Sequence, residues 1–233
     1  MKRTNKIITF IKFFLSLLLF FNFFLVKGQD NFYVVLNPTF AVGFSNETRW
    51  SFHFGIDNQD LIYGDDQWIL TPKQISVSAF GNYLIGTNSF FGLGLEYKSP
   101  NIFDEKIKDE QKITLQYGLF KKYKVFKIEN RFRFEEHLKV ENSYRTRYRF
   151  QMEFPLGQNQ IHKNSIFLIF NTEVLWAISK NISPNFGVWS GSSLAYIISD
   201  HLRATFGIQY RYENYTHIPI TKFFIQSGMS LSL

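Results

Sequence analysis

The sequence predicts an all-β chain: an antiparallel transmembrane β-barrel of about twelve strands, with ten as the fallback, following a cleaved signal peptide. Three observations predict it. Residues 1–28 carry the parts of an export signal. From Gln29 onward, apolar and polar residues alternate with a period of two in segment after segment. The apolar positions are loaded with rings, 28 Phe, 12 Tyr and 4 Trp in 233 residues, and many fall at the ends of the alternating segments, where interfacial girdles sit.

The N-terminus comes first. MKRTNKIITFIK carries Lys2, Arg3, Lys6 and Lys12 and no acid, and FFLSLLLFFNFFLV, residues 13–26, is apolar. Val26 and Gly28 stand three and one before a cut between Gly28 and Gln29. A basic head, an apolar core and a small residue before the cut make a secretory signal. The alternative is a retained anchor, but Lys12 and Asn22 interrupt residues 7–26. The expected organisation is a signal peptide over 1–28 and a barrel over 29–233, in the bacterial outer membrane. Five of the 26 basic residues and none of the 19 acidic ones lie in 1–28, so the rest has 21 basic and 19 acidic residues, net +2 rather than +7. The basic pI therefore mostly reports the signal, and a nucleic-acid partner loses its support. The chain has no Cys, which excludes a disulfide scaffold, a thiolate metal site and a lipidated cysteine after the signal.

Eleven alternating segments follow, near 31–44, 47–57, 73–85, 89–98, 111–121, 124–136, 143–154, 164–175, 185–198, 201–213 and 221–233. In 48–57, Trp50, Phe52, Phe54 and Ile56 share one face, with Arg49, Ser51, His53 and Asp57 on the other. In 89–99, Phe91, Leu93, Leu95 and Tyr97 oppose Gly92, Gly94, Glu96 and Lys98. In 112–120, Ile113, Leu115, Tyr117 and Leu119 oppose Lys112, Thr114, Gln116 and Gly118. In 203–213, Phe206, Ile208 and Tyr210 oppose Arg203, Gln209 and Arg211. Segment 164–175 is weaker, because Phe167 and Ile169 interrupt its polar face. Such strands suit a soluble sandwich or a membrane barrel. The barrel is favoured by strands of about 9–13 residues, long enough to cross a bilayer with tilt. It is also favoured by connections that alternate between tight (45–48, 86–88, 121–124, 199–201) and long (58–72, 99–110, 213–221). Bacterial single-chain barrels have an even number of strands, so a twelfth is expected, either by splitting 30–44 near Pro38 or within 60–70.

The densest pattern is ENRFRFEEHLKVENSYRTRYRF, residues 129–150. Phe126, Ile128, Phe132 and Phe134 oppose Lys127, Glu129, Arg131, Arg133 and Glu135; Tyr144, Tyr148, Phe150, Met152 and Phe154 oppose Arg145, Arg147, Arg149, Gln151 and Glu153. As a hairpin, the two charged faces coincide, and arginines and glutamates are expected to alternate across the strands as a ladder. Register is strongly specified. An Arg facing lipid at mid-membrane costs about 2–4 kcal/mol, so slipping 143–154 by one residue would cost on the order of 6–12 kcal/mol, comparable with the stability of a whole domain.

The block KIENRFRFEEHLKVENSYRTRYRFQMEFPL, residues 127–156, resembles the motif of a family of Bacteroidetes outer-membrane proteins catalogued as domain of unknown function 2490. Its pattern looks like xxNRxRxExR, a short gap, then xRxRYRxxxxxPL. Asn130, Arg131, Arg133, Glu135, Arg145, Arg147, Tyr148, Arg149, Pro155 and Leu156 match; an arginine often found near the position of His137 is absent. By residue the likeness covers this block, and by rhythm most of the chain after the signal. It implies an outer-membrane barrel and no activity, since the family has none assigned.

The candidate site is the inward ladder of Lys127, Glu129, Arg131, Arg133, Glu135, Arg145, Arg147, Arg149 and Glu153. It reads either as a selectivity zone for an anion or a lipopolysaccharide contact, or as charged side chains filling a modest lumen. The accompanying glutamates argue against a dedicated anion filter. A hydrolase needs Ser, His and an orienting group together; Ser51 and His53 are a weak candidate pair, with Asp57 beyond. His137, His162, His201 and His217 fall at predicted turns or strand ends without metal spacing, where solvated loop histidines are the default. Three sequons (Asn46, Asn181, Asn214) carry no weight in a bacterial chain. The expected function is a narrow passive pore or a structural membrane protein, monomeric and without cofactor or metal. Its expected partners are outer-membrane lipid and small solutes or lipopolysaccharide. An enzyme acting on envelope lipid and a loop-mediated binding protein are the alternatives.

Overall fold

The computed structural model describes residues 31–45, 49–100, 108–123, 125–139, 142–156, 163–180 and 182–233. The signal-peptide reading and His162 lie outside the described residues. Every regular element described is a strand: β1 Phe32–Ser45, β2 Trp50–Gly64, β3 Gln67–Ile85, β4 Ser89–Pro100, β5 Glu110–Lys122, β6 Lys127–Leu138, β7 Ser143–Leu156, β8 Ile166–Ser179, β9 Ile182–Ile197, β10 Leu202–Glu213 and β11 Ile220–Ser232. Each pairs antiparallel with the next, and β1 pairs parallel with β11 to close the barrel.

The closure corrects the strand count. Eleven strands are present among the described residues, neither twelve nor ten. In an up-and-down meander of odd number, the first and last strands run the same way, and a parallel ladder seals the seam. Phe32 to Gly43 pair with Thr221 to Ser232 in unbroken register, so the seam leaves no open edge between the first and last strands.

Neither proposed source of a twelfth strand exists. β1 runs through Pro38. Proline has no N–H to give the ladder, and the pairing of β1 with β2 skips Asn37 and Pro38, resuming at Thr39↔Asp57. Asn37 Nδ2 donates to the Asn58 carbonyl there at 2.8 Å. Residues 58–72 are not a long loop. They extend β2 and β3 into a hairpin turned by Asp65 and Asp66, at φ 50° and 60°. Two successive positive φ values fit the primed turns that match strand twist, and Asp is one of the few side chains that tolerates them.

One barrel end carries the connections 46–49, 86–88, 123–126, 157–165 and 198–201; the other carries 65–66, 101–109, 139–142, 180–181 and 214–219. The tight segments expected from sequence all fall at the first end. The nine-residue connection 157–165 also falls there, and breaks the short-versus-long rhythm.

Strand parity puts the rings outside. Trp50, Phe52, Phe54 and Ile56 are each about half exposed, as are Phe91, Leu93, Leu95 and Tyr97. No second sheet covers them among the described residues. Neighbouring outward rings pack on one another across strands: Trp50 with Tyr83 at 5.1 Å, Phe132 with Tyr148 at 4.9 Å. The interior is polar, with two apolar islands. One is Val35, Leu61 and Phe224 with Tyr33 against them. The other is Phe167, Ile169 and Ala195 with Ile197. The second explains the weak alternation of 164–175: Phe167 and Ile169 do face inward, and they bury one another there.

Candidate functional site

β6 and β7 pair as a hairpin, and their charged side chains project into the barrel. The rungs differ from the expected ladder. Lys127 stands opposite Glu153 and Glu135 opposite Arg145, but the two central rungs are Arg131 opposite Arg149 and Arg133 opposite Arg147. Like charges directly across a strand pair repel, so compensation has to come from other strands.

It comes chiefly from Glu173 on β8. Arg147 Nε lies 2.9 Å from Glu173 Oε1, and Arg149 Nε donates to Glu173 Oε2 at 2.7 Å. Glu135 lies 3.5 Å from Arg147 Nη1. Glu129, on the same face two residues earlier, accepts from Arg131 Nε at 3.0 Å. The sequence placed Glu129, Glu135 and Glu153 on the inward face but missed Glu173. Asn171 and Glu173 alternate with Thr172 and Val174 as an inward pair, and the apolar Phe167, Ile169 and Leu175 on the same face masked that signal.

Arg133 is held differently. Its Nε donates to Gln116 Oε1 at 3.2 Å, and Gln116 Nε2 donates to Asn82 Oδ1 at 2.6 Å. No carboxylate lies within ion-pair distance of Arg133 among the described residues. Its guanidinium sits over the Phe80 ring at 5.7 Å, as that of Arg131 sits over Phe90 at 5.9 Å. Both rings occupy the space next to a glycine. A Cβ on Gly94 would come within 2.1 Å of the Phe80 ring, and one on Gly118 within 2.1 Å of Phe90. The inward glycines of β4 and β5 thus make room for two aromatic platforms on which the arginines stack, each contact being worth about 0.5–2 kcal/mol. Gly94→Val is expected to displace Phe80 and cost about 1–3 kcal/mol by overpacking, read as a lower urea midpoint.

Across the barrel, Arg211 of β10 is sandwiched between Trp189 and Phe224, at 4.0 and 3.7 Å from their centroids, and its Nε donates to Gln209 at 2.7 Å. Trp189 also receives Arg147, at 4.7 Å. Toward one end, His137 hydrogen-bonds Glu110 and lies 3.4 Å from Glu135, while Lys139 reaches Glu110 at 2.7 Å. The expectation of a solvated histidine is wrong for His137, which is only 5% exposed. β6 runs past the expected end of segment 124–136 to Leu138, and parity carries His137 inward opposite Lys112. His201 is an exposed turn residue whose Nδ1 meets the Ser232 carbonyl at 2.8 Å, and His217 is in the exposed connection 214–219.

Ser51 and His53 both face inward, Ser51 opposite Asn82 and His53 opposite Phe80. No hydrogen bond joins them among the described residues; the His53 ring instead packs over Gly43, where a Cβ would come within 3.0 Å of Nδ1. No group of three or more His, Asp or Glu side chains able to hold a metal occurs among the described residues. The arrangement offers fixed guanidiniums, aromatic platforms and paired carboxylates, which suit holding or repelling ions rather than moving protons through a nucleophile.

Neither the curated proteins nor the solved structures hold a significant match to the chain. A family model does match, over residues 31–228, which spans the barrel from its first strand into its last. The chain therefore belongs to the family described as protein of unknown function (DUF2490).

Proposed function

We propose that the protein is a monomeric outer-membrane β-barrel of a Bacteroidetes-type envelope, exported by a signal over residues 1–28 and acting as a narrow passive pore. The observation that carries this reading is the outward belt of half-exposed rings and aliphatics around a closed barrel with a charged interior. Exposed apolar area on that scale is not what a water-soluble monomer presents, whereas a bilayer demands it. Strands of 12 to 19 residues are long enough to span the hydrocarbon at a tilt. The pore is narrow because Phe80, Phe90, Phe167, Trp189 and Phe224 join the charged side chains inside.

Two measurements test it. The folded protein should need detergent to stay in solution and should run faster on a gel unheated than boiled. Reconstituted into a planar bilayer, it should give small conductance steps. A detergent-free soluble monomer would end the membrane reading, and a silent bilayer would leave a structural barrel rather than a pore.

A further inference from the structure

We propose that Arg133, with Arg131 and Arg149, forms an oxyanion-binding site in the middle of the barrel, suited to a phosphate-like group. The inference rests on the membrane-barrel reading for its setting, and it assigns the interior a ligand class. It also departs from the sequence expectation that the accompanying glutamates argue against a dedicated anion filter.

Three observations carry it. The first is register. Arg131↔Arg149 and Arg133↔Arg147 place four guanidiniums on two adjacent rungs, and Arg133 lies within electrostatic range of the other three. Folding like charges together is unfavourable without a counter-charge. The second is the allocation of carboxylates. Glu129 is taken by Arg131, and Glu173 is shared between Arg147 and Arg149, which leaves Arg133 without one among the described residues.

The third is how Arg133 is fixed. A guanidinium that merely filled space would be free to swing toward Glu173. This one is aimed by a neutral amide relay, Asn82 to Gln116 to Arg133, and backed by the Phe80 ring. The relay uses only Nε. Among the described residues the two Nη groups keep their donors, in the fork geometry that matches two oxygens of a phosphate or carboxylate. An amide orients the arginine without neutralising it. A carboxylate at position 116 would hold it equally well and abolish the site.

That contrast supplies the test. The folded barrel in detergent micelles is titrated with inorganic phosphate at constant ionic strength, sodium chloride making up the balance, and binding is followed by calorimetry. Wild type should bind phosphate saturably. Arg133→Gln should weaken binding at least tenfold. Gln116→Glu should do the same while every arginine remains, and because its side chain is isosteric it should keep heat-modifiable gel migration. Arg203→Gln removes an interior arginine that pairs with Glu153 instead and should bind as wild type does. Absence of saturable phosphate binding in folded wild type, or wild-type affinity in both Arg133→Gln and Gln116→Glu, overturns the site. Bilayer current separates this outcome from the pore: current without phosphate binding removes the site and keeps the pore, and binding without current does the reverse.

Discussion

Glu173→Gln is expected to lower the stability of the barrel by about 3 kcal/mol, the low end of what removing one partner of a buried ion pair costs. Glu173 is essentially inaccessible and ion-pairs with two guanidiniums at once, accepting a hydrogen bond from Arg149 Nε at 2.7 Å and lying 2.9 Å from Arg147 Nε. Glutamine fills the same volume and keeps one carbonyl acceptor, so packing is conserved and the loss reports charge. The full range for such a deletion reaches about 5 kcal/mol. The lower figure applies because the Arg149 side chain is a quarter exposed inside the barrel, where solvent screens part of the charge. Urea unfolding in vesicles gives the number. The charge origin is checked by pairing Glu173→Gln with Arg147→Gln. If uncompensated charge is the cause, the double variant recovers stability relative to Glu173→Gln alone. A loss below about 1 kcal/mol would show that water in the lumen already satisfies these arginines.

That network shows where a sequence is legible and where it is not. Period-two alternation is a local property, so it located all eleven strands and assigned Trp50 to Ile56, Phe91 to Tyr97 and Arg145 to Arg149 to their faces. The extra strand came from a rule about barrels in general, overriding a correct reading of this chain. Nothing local forbids a parallel seam, and β1 and β11 carry no mark that tells a parallel partner from an antiparallel one. The Asp65–Asp66 turn was hidden because Asp-Asp is a weaker hairpin signal than Asn-Gly or Asp-Gly. Rung order in the β6–β7 hairpin was less accessible still. It depends on a register that no single segment carries: Glu135 meets Arg145, but Arg131 meets Arg149 and Arg133 meets Arg147. Glu173 comes from a different hairpin, so its meeting with Arg147 and Arg149 belongs to the closed barrel rather than to any segment.

The second large effect is on the outer face. Leu95→Arg should cost about 2–4 kcal/mol when the protein is unfolded reversibly from lipid vesicles. Leu95 lies in the middle of β4, opposite Ala79 on one side and Ile113 on the other, and is more than half exposed. In water, such an exposed position far from any cap or partner accepts most substitutions within about 0.5 kcal/mol. In hydrocarbon, a guanidinium has no water to solvate it and too short a stem to reach the interface from mid-strand. The same residue type placed on the inner face of the adjacent strand, as Ser78→Arg, meets a polar lumen and should be far less costly. The two substitutions introduce the same charge into the same sheet, so their difference isolates what touches each face. A cost at Leu95 as small as at Ser78 would mean that the belt of rings faces water, and the arginine-lined interior would then be the inside of a soluble barrel rather than of a membrane pore.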